Sequence, residues 1–187
     1  VPSTLEQRRV DALRLLNQVP AITELGQIDP SGRERLRVSR LETNVIDSRK
    51  DFSRDPRFTE AVANKRYYGP VYFRKESEPY MTLALAGSRR DAGVSIAEVN
   101  LKFIWDLVSE INVGKEGRAM VVDGIGRLIA HPDISLVLRK IDLSQLDQVK
   151  VAQGDNLGAS TGVVENARDL KGQQVLSAYA RIAPLNW

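Results

Sequence analysis

Residues 117–132 read Gly117-Arg118-Ala119-Met120-Val121-Val122-Asp123-Gly124-Ile125-Gly126-Arg127-Leu128-Ile129-Ala130-His131-Pro132, and their patterning decides the class of fold. Two apolar runs, 119–122 and 127–130, flank Asp123-Gly124-Ile125-Gly126. Apolar runs on either side of a short glycine-containing loop are a hairpin signal. The stretch therefore predicts antiparallel strands joined directly, with no crossover helix. The same reading disposes of Gly124-Ile125-Gly126 as a dinucleotide-binding turn, which needs a third glycine and a helix after it.

Upstream of this hairpin the period changes. Leu101, Ile104, Trp105 and Val108 are spaced for one face of a helix, with Gly114 placed to end it. Trp105 thereby reads as core. Before that helix come strand-like runs at 67–73, 80–86 and 93–99. In the second, Met81, Leu83 and Leu85 alternate with Thr82, Ala84 and Ala86, a period of two. Asp55-Pro56 supplies an N-cap and a proline at the first helical position, opening a short helix with Phe58, Ala61 and Val62. Residues 35–47 read as extended, and Pro20, Gly26, Pro30 and Gly32 mark a polar loop before them. The first segment is helical: Ser3 and Glu6 have capping-box spacing, and Leu5, Ala12, Leu13 and Leu16 recur at near-helical intervals. Downstream of the hairpin, 132–162 is polar with candidate short helices, and 174–182 is the last strand-like run. Closely spaced strands with flanking helices give an α+β chain of antiparallel sheets, divided near Gly114 into a larger first lobe and a smaller second one.

The chain has 187 residues, 42% of them hydrophobic and 27% charged, long enough to bury a core without metal or disulfide support. It has no cysteine, which removes thiolate metal sites and cysteine nucleophiles together. Net charge is +3, and basic residues sit beside acids, as in Arg33-Glu34-Arg35 and Lys50-Asp51. A nucleic-acid partner would want cationic charge gathered on one face with aromatic platforms, so none is expected. No apolar run approaches the roughly 20 residues that cross a bilayer.

No catalytic residue, metal site or cofactor is expected. His131 is the only histidine, so a hydrolytic triad or zinc site would have to be built on it with Asp123, Asp133 or Asp142. It ends a hairpin strand before Pro132, where a local hydrogen bond is the simpler reading. The aromatic cluster carries more. Tyr67, Tyr68, Tyr72, Phe73 and Tyr80 crowd into a short stretch of a chain that is only 6% aromatic. Such residues are either a packed sheet surface or the walls of a pocket with a polar floor. Glu98 is the candidate floor, because it interrupts the apolar strand Val94-Ser95-Ile96-Ala97-Glu98-Val99, where a carboxylate needs a partner. Alternation along a continuous strand puts Tyr72 on the side of Tyr68 and Pro70, with Thr82 and Ala84 sharing a face next door. Tyr68, Tyr72 and Tyr80 are then the walls and Thr82 leaves room. Arg57 and Arg66 are placed for an anionic group and Glu98 for an amine. A plain buried Arg–Glu pair is the competing reading.

In serial order these stretches resemble the double Cache sensor domain, a tandem of PAS-like lobes found outside the membrane in bacterial receptors. Asp55-Pro56-Arg57-Phe58-Thr59-Glu60-Ala61 is similar to the helix over the first lobe's pocket. Tyr68-Gly69-Pro70-Val71-Tyr72 and Pro79-Tyr80-Met81-Thr82-Leu83 resemble that lobe's central hairpin, and 93–99 its last strand. The 117–132 hairpin resembles the opening of the second lobe, and Ala178-Tyr179-Ala180-Arg181-Ile182 with Pro184-Leu185-Asn186-Trp187 its late strands. Three departures stand out. Arg57-Phe58 lie in the region where amino-acid-binding members often carry a tryptophan, Glu98 stands where those members usually carry Asp, and Asn186 stands where the family usually has Gly before the Trp.

The resemblance implies two PAS-like lobes, each an antiparallel sheet flanked by helices, behind a long N-terminal helix. Residues 1–30 would be that helix and a loop, 31–114 a membrane-distal lobe, and 115–187 a smaller membrane-proximal lobe lacking its last strand. The function implied is extracytoplasmic, periplasmic sensing of a small-molecule ligand, without catalysis in this fragment. The wording is nearest to sensor histidine kinases, with chemoreceptors, diguanylate cyclases or a non-sensing interaction domain as alternatives. Attachment to the membrane through helices outside this chain and a homodimer are implied with it.

Overall fold

The computed structural model describes residues 4–75, 77–89, 92–114, 116–154 and 160–187. The chain divides into two compact units, Val1–Phe103 and Ile104–Trp187. Both are mixtures of helix and antiparallel sheet, the α+β class the sequence predicts.

The first unit holds α1 (Leu5–Gln18), β1 (Ile22–Ile28), β2 (Glu34–Ser39), β3 (Val45–Ile46), α2 (Pro56–Asn64), β4 (Arg66–Tyr68), β5 (Tyr72–Arg74), β6 (Glu78–Ala86) and β7 (Val94–Asn100). Its strands form one sheet in the order β3-β2-β1-β7-β6-β4, with β5 also paired to β6. Helix α1 starts at Thr4, whose hydroxyl accepts from the Gln7 amide at 3.1 Å. Ser3, expected to cap it, lies outside the described residues, and Glu6 instead pairs with Arg9 at 2.6 Å. Helix α2 opens as its sequence requires: the Asp55 side chain accepts from the Arg57 amide and Pro56 occupies the first turn.

Strand β1 corrects the sequence reading, which left 20–32 as a loop. It is a central strand, hydrogen-bonded to β2 on one edge and β7 on the other. Glu24 and Gly26 break its apolar alternation, so periodicity did not expose it. Its place comes from the edges it fills.

The register sorts side chains onto two faces. Val38, Leu25, Ala97, Leu83 and Tyr68 are successive cross-strand partners and share one face. There Ala12 and Leu16 of α1 pack on Leu36 and Val38, joined by Leu13, Ile22 and Leu25. Arg37, Gly26, Ile96, Ala84 and Tyr67 are partners on the opposite face. There Phe58 and Ala61 of α2 pack over Ile28, Phe52, Ala84, Val94 and Ile96. Leu36 and Val38 are 1% and 0% exposed, so the α1 face is closed where the helix covers it.

The second unit contains most of α3 (Lys102–Glu110), then β8 (Val121–Val122), β9 (Leu128–Ala130), α4 (Ile134–Leu138), α5 (Asp147–Gln153), β10 (Thr161–Arg168) and β11 (Gln174–Ala180). The 117–132 hairpin is present as β8 and β9. Asp123 closes its turn by accepting from the amides of Ile125 (3.1 Å) and Arg127 (2.8 Å). Gly126 has φ +92°, and a Cβ there would strike Ser144 at 2.5 Å. Trp105 is core, its indole donating to the Ile129 carbonyl at 2.6 Å. His131 accepts from the Asp133 amide through Nδ1 at 2.8 Å, a local bond. Strand β10 is a further addition to the sequence reading. It pairs with β11 through a register shift between Val164 and Ala167, and that irregularity disguises its alternation.

Candidate functional site

The site is built on the α2 face of the first unit, in the row after Ile96 and Ala84. Glu24 of β1 stands opposite Glu98 of β7, and Glu98 stands opposite Thr82 of β6. The next row on that face is Asn100, Tyr80 and Tyr72. Polar side chains thus continue a surface whose other end is the apolar core under α2.

Glu98 is 7% exposed and is held from several sides. The Thr82 hydroxyl lies 2.9 and 3.0 Å from its two oxygens, and the Tyr72 hydroxyl donates at 2.6 Å. Burial and then this bond to Glu98 push the Tyr72 phenol well above its ordinary range, so the proton stays on Tyr72. Arg57 approaches Glu98 only to 3.9 Å, because its guanidinium is committed to Asp55 at 2.9 and 2.7 Å. That bond raises Arg57 and lowers Asp55 from their ordinary values. The Arg57 guanidinium also lies over the Phe52 ring, 5.0 Å from its centroid. The expected Arg–Glu pair is therefore a loose contact between groups with firmer partners elsewhere.

Two cavities open on this arrangement and share Arg57, Tyr72 and Glu98 in their walls. One, about 310 Å³, runs from Asp55 and Pro56 past Tyr67, Gly69 and Pro70 to Thr82. The other, about 330 Å³, is bounded by Glu24, Glu34, Arg37, Lys50, Phe52, Arg74 and Ile96. Each is at the lower end of the roughly 300–1,000 Å³ usual for small-molecule pockets. Gly69 keeps the first open beside Thr82: a Cβ there would come within 3.2 Å of the Thr82 carbonyl oxygen.

Of the residues proposed from sequence, Arg57, Tyr72, Thr82 and Glu98 come together in these cavities. Tyr80 does not line them. It is 1% exposed behind Tyr72, their rings stacked at 6.0 Å, and its hydroxyl accepts from the Asn100 side-chain Nδ2 at 3.1 Å. Tyr68 and Arg66 stand apart as well. Tyr68 pairs with Leu83, on the α1 face, and Arg66 is exposed opposite Leu85. The expectation that Tyr68 and Tyr72 share a face assumed one unbroken strand from 67 to 73. The strand breaks at 69–71, and four steps from Tyr68 to Tyr72 lie against three on β6, from Leu83 to Tyr80. One unmatched residue reverses the facing, so Tyr67 takes the place assigned to Tyr68. Glu24, Glu34, Arg37 and Arg74 were missed as site residues: Glu24 sits in a strand the sequence reading left as loop, and the other three, in or at the edge of extended runs, read as solvated charges.

The second unit has a smaller cavity, about 160 Å³, between β8, β11 and α5. Its charged groups are satisfied nearby. Asp123 holds Arg127 at 2.8 Å, and Arg181 donates to the carbonyls of Ala152 and Gly154.

The fold is similar to several solved sensor domains. The extracellular domain of mmHK1S-Z2, described as a histidine kinase, superposes with TM-score 0.76 at 17% identity, over 98% of this chain and 79% of that one. The sensory domain of the Campylobacter jejuni chemoreceptor Tlp3 superposes with TM-score 0.62 at 14% identity, over 85% and 64%. The ligand-binding domain of the Pseudomonas aeruginosa amino-acid chemoreceptor PctC, solved with GABA, gives 0.60 at 15% identity, over 88% and 71%. No curated protein matches the chain. The Cache domain model matches residues 6–187, and the chain belongs to the Cache domain family.

Proposed function

We propose that this chain is the extracytoplasmic ligand-sensing domain of a transmembrane receptor and that a small polar ligand binds in its first lobe, against Glu98. The observation that carries this reading is Glu98 itself. A carboxylate buried to 7% exposure, oriented by Thr82 and Tyr72 and bordering two cavities, is placed to meet a ligand. Arg57 and Tyr67 supply a cation and a phenol on the other side of the first cavity. Solved relatives that hold GABA or norvaline lend support to a small amine- or carboxylate-bearing ligand.

The parent protein is a sensor histidine kinase in this reading, supported by TM-scores of 0.76 and 0.72 for two histidine-kinase domains, while two others score 0.62, level with the chemoreceptor domains at 0.57 to 0.63. The domain lies in the periplasm, attached through helices outside this chain, and works as a homodimer. The first lobe is membrane-distal. The second lobe is membrane-proximal. A ligand acts by biasing one of two conformations of such a domain.

Thermal-shift screening of small acids and amines against wild type and Glu98→Ala tests the site. A shift present in wild type and lost in the variant is expected. A shift unchanged by Glu98→Ala, or one abolished only by Gln148→Ala in the second lobe, would overturn the placement.

A further inference from the structure

Glu24 is the residue of this site whose position the fold does not explain. It stands directly opposite Glu98 in the β1–β7 register, so two carboxylates meet on neighbouring strands. Like charges in that relation oppose pairing, with side chains only about 4.5–5.5 Å apart at Cβ. The two are not equally provided for. Glu98 accepts from Thr82 and Tyr72, while Glu24 Oε2 is buried with no hydrogen-bond partner. Its nearest cation is Arg37 at 3.8 Å, which also serves Glu34 at 3.4 Å and Glu42 at 3.1 Å. Ser39 of β2 is its register partner on the other edge. The remaining charged groups of this cavity are Lys50 before α2, Arg57 on α2 and Arg74 on β5, with the Tyr72 phenol beside Arg74. Arg57 belongs to Asp55, Lys50 lies over the Phe52 ring, and Arg74 lies over Tyr80 and pairs with Glu42 at 3.6 Å, its Nη1 buried without a hydrogen-bond partner.

Resting on the first-lobe reading above, we infer that Glu24 is a specificity residue of the ligand site and that the ligand presents a cationic nitrogen to Glu24 and Glu98 together. One ammonium between these carboxylates meets the orphaned oxygen and removes the like-charge opposition in a single contact. A neutral or anionic group there does neither. Burial, ahead of the opposing influence of Arg37, already pushes the Glu24 carboxyl above its ordinary value. Two carboxylates set opposite each other, one with an unpartnered buried oxygen, cost stability, as residues kept for binding do.

Two readouts on the whole chain decide the matter, using 1,4-diaminobutane as the amine probe and succinate as its four-carbon diacid counterpart. Without ligand at pH 7.5, Glu24→Gln is expected to melt about 2 °C above wild type. The variant should at the same time bind diaminobutane at least tenfold more weakly, as should Glu98→Gln, with Glu24→Asp retaining part of the affinity. A lower melting temperature for Glu24→Gln would make Glu24 a structural partner of Arg37 and overturn the inference. So would diaminobutane binding that ignores Glu24→Gln. If succinate binds in place of the amine and Glu98→Ala abolishes it, this inference fails while the first-lobe reading stands. If neither probe shifts wild type, both fail.

Discussion

The two faces of the first-unit sheet are made from the same strands and end in opposite conditions. On the α1 face, Leu36 and Val38 are sealed under Ala12 and Leu16. On the α2 face, the apolar core of Phe52, Ala61, Ala84 and Ile96 stops one row short, and Glu24, Thr82, Glu98 and Tyr72 line cavities instead. Burial of apolar area stabilises the first face at about 25 cal/mol per Å². On the second, buried polar groups are held by hydrogen bonds whose net worth is small and whose loss is costly. A sheet can therefore devote one face to standing up and the other to meeting a ligand.

Substitutions can break that contrast, and the largest effect is expected on the closed face. Leu36→Ala should cost about 2–5 kcal/mol by leaving a cavity under α1. Chemical denaturation should register this loss, and any ligand response of the folded fraction should persist. A Leu36→Ala protein as stable as wild type would mean that the α1 face is not the scaffold.

Next comes Thr82→Val, which keeps shape but takes a donor from Glu98. The cost of a buried acceptor losing a partner is about 1–3 kcal/mol. Here stability and ligand affinity should fall together, since the same hydroxyl orients Glu98. Denaturation beside probe titration separates this outcome from a purely structural one.

The cap of α2 gives a smaller effect with a defined pH signature. Its bond from Arg57 depresses the Asp55 pKa, so its contribution is present above the ordinary carboxylate range and fades as pH falls through the lowered folded value. Glu24 is raised, so its penalty applies above its folded pKa and is relieved on acidification. Asp55→Ala should cost about 1 kcal/mol at neutral pH and less toward pH 3. A melting-temperature series over pH, run beside Glu24→Gln, should show the two variants converging on wild type in acid from opposite sides. Parallel curves would refute the assigned signs.

The smallest expected effect sharpens the contrast at its boundary. Tyr67→Phe should weaken ligand binding a few-fold, while Tyr68→Phe on the other face should change it within error. Equal effects would contradict the reversal of facing at 69–71.

Parts of both units were legible in advance. Asp55-Pro56 announced α2, the alternation from Met81 to Ala86 announced β6, and Asp123 to Gly126 announced the β8–β9 turn, each a local signal set by its own residues. Glu98 stood out because a carboxylate within an apolar strand must find a partner. Strands β1 and β10 were not legible, since one carries Glu24 and Gly26 among its apolar residues and the other an irregular register. Glu24 could not be placed without its strand.

The sequence by itself therefore determined the class of fold, the start of α2, the β8–β9 turn and the oddity of Glu98, because caps, periods and turn glycines act within a few residues. Only the tertiary structure decided that Tyr67 and not Tyr68 faces the cavity, that Tyr80 stands behind Tyr72, and that Glu24 confronts Glu98. Those outcomes depend on register between strands far apart in the chain, and side chains alternate at every residue. A single unmatched residue at 69–71 is enough to exchange one face for the other.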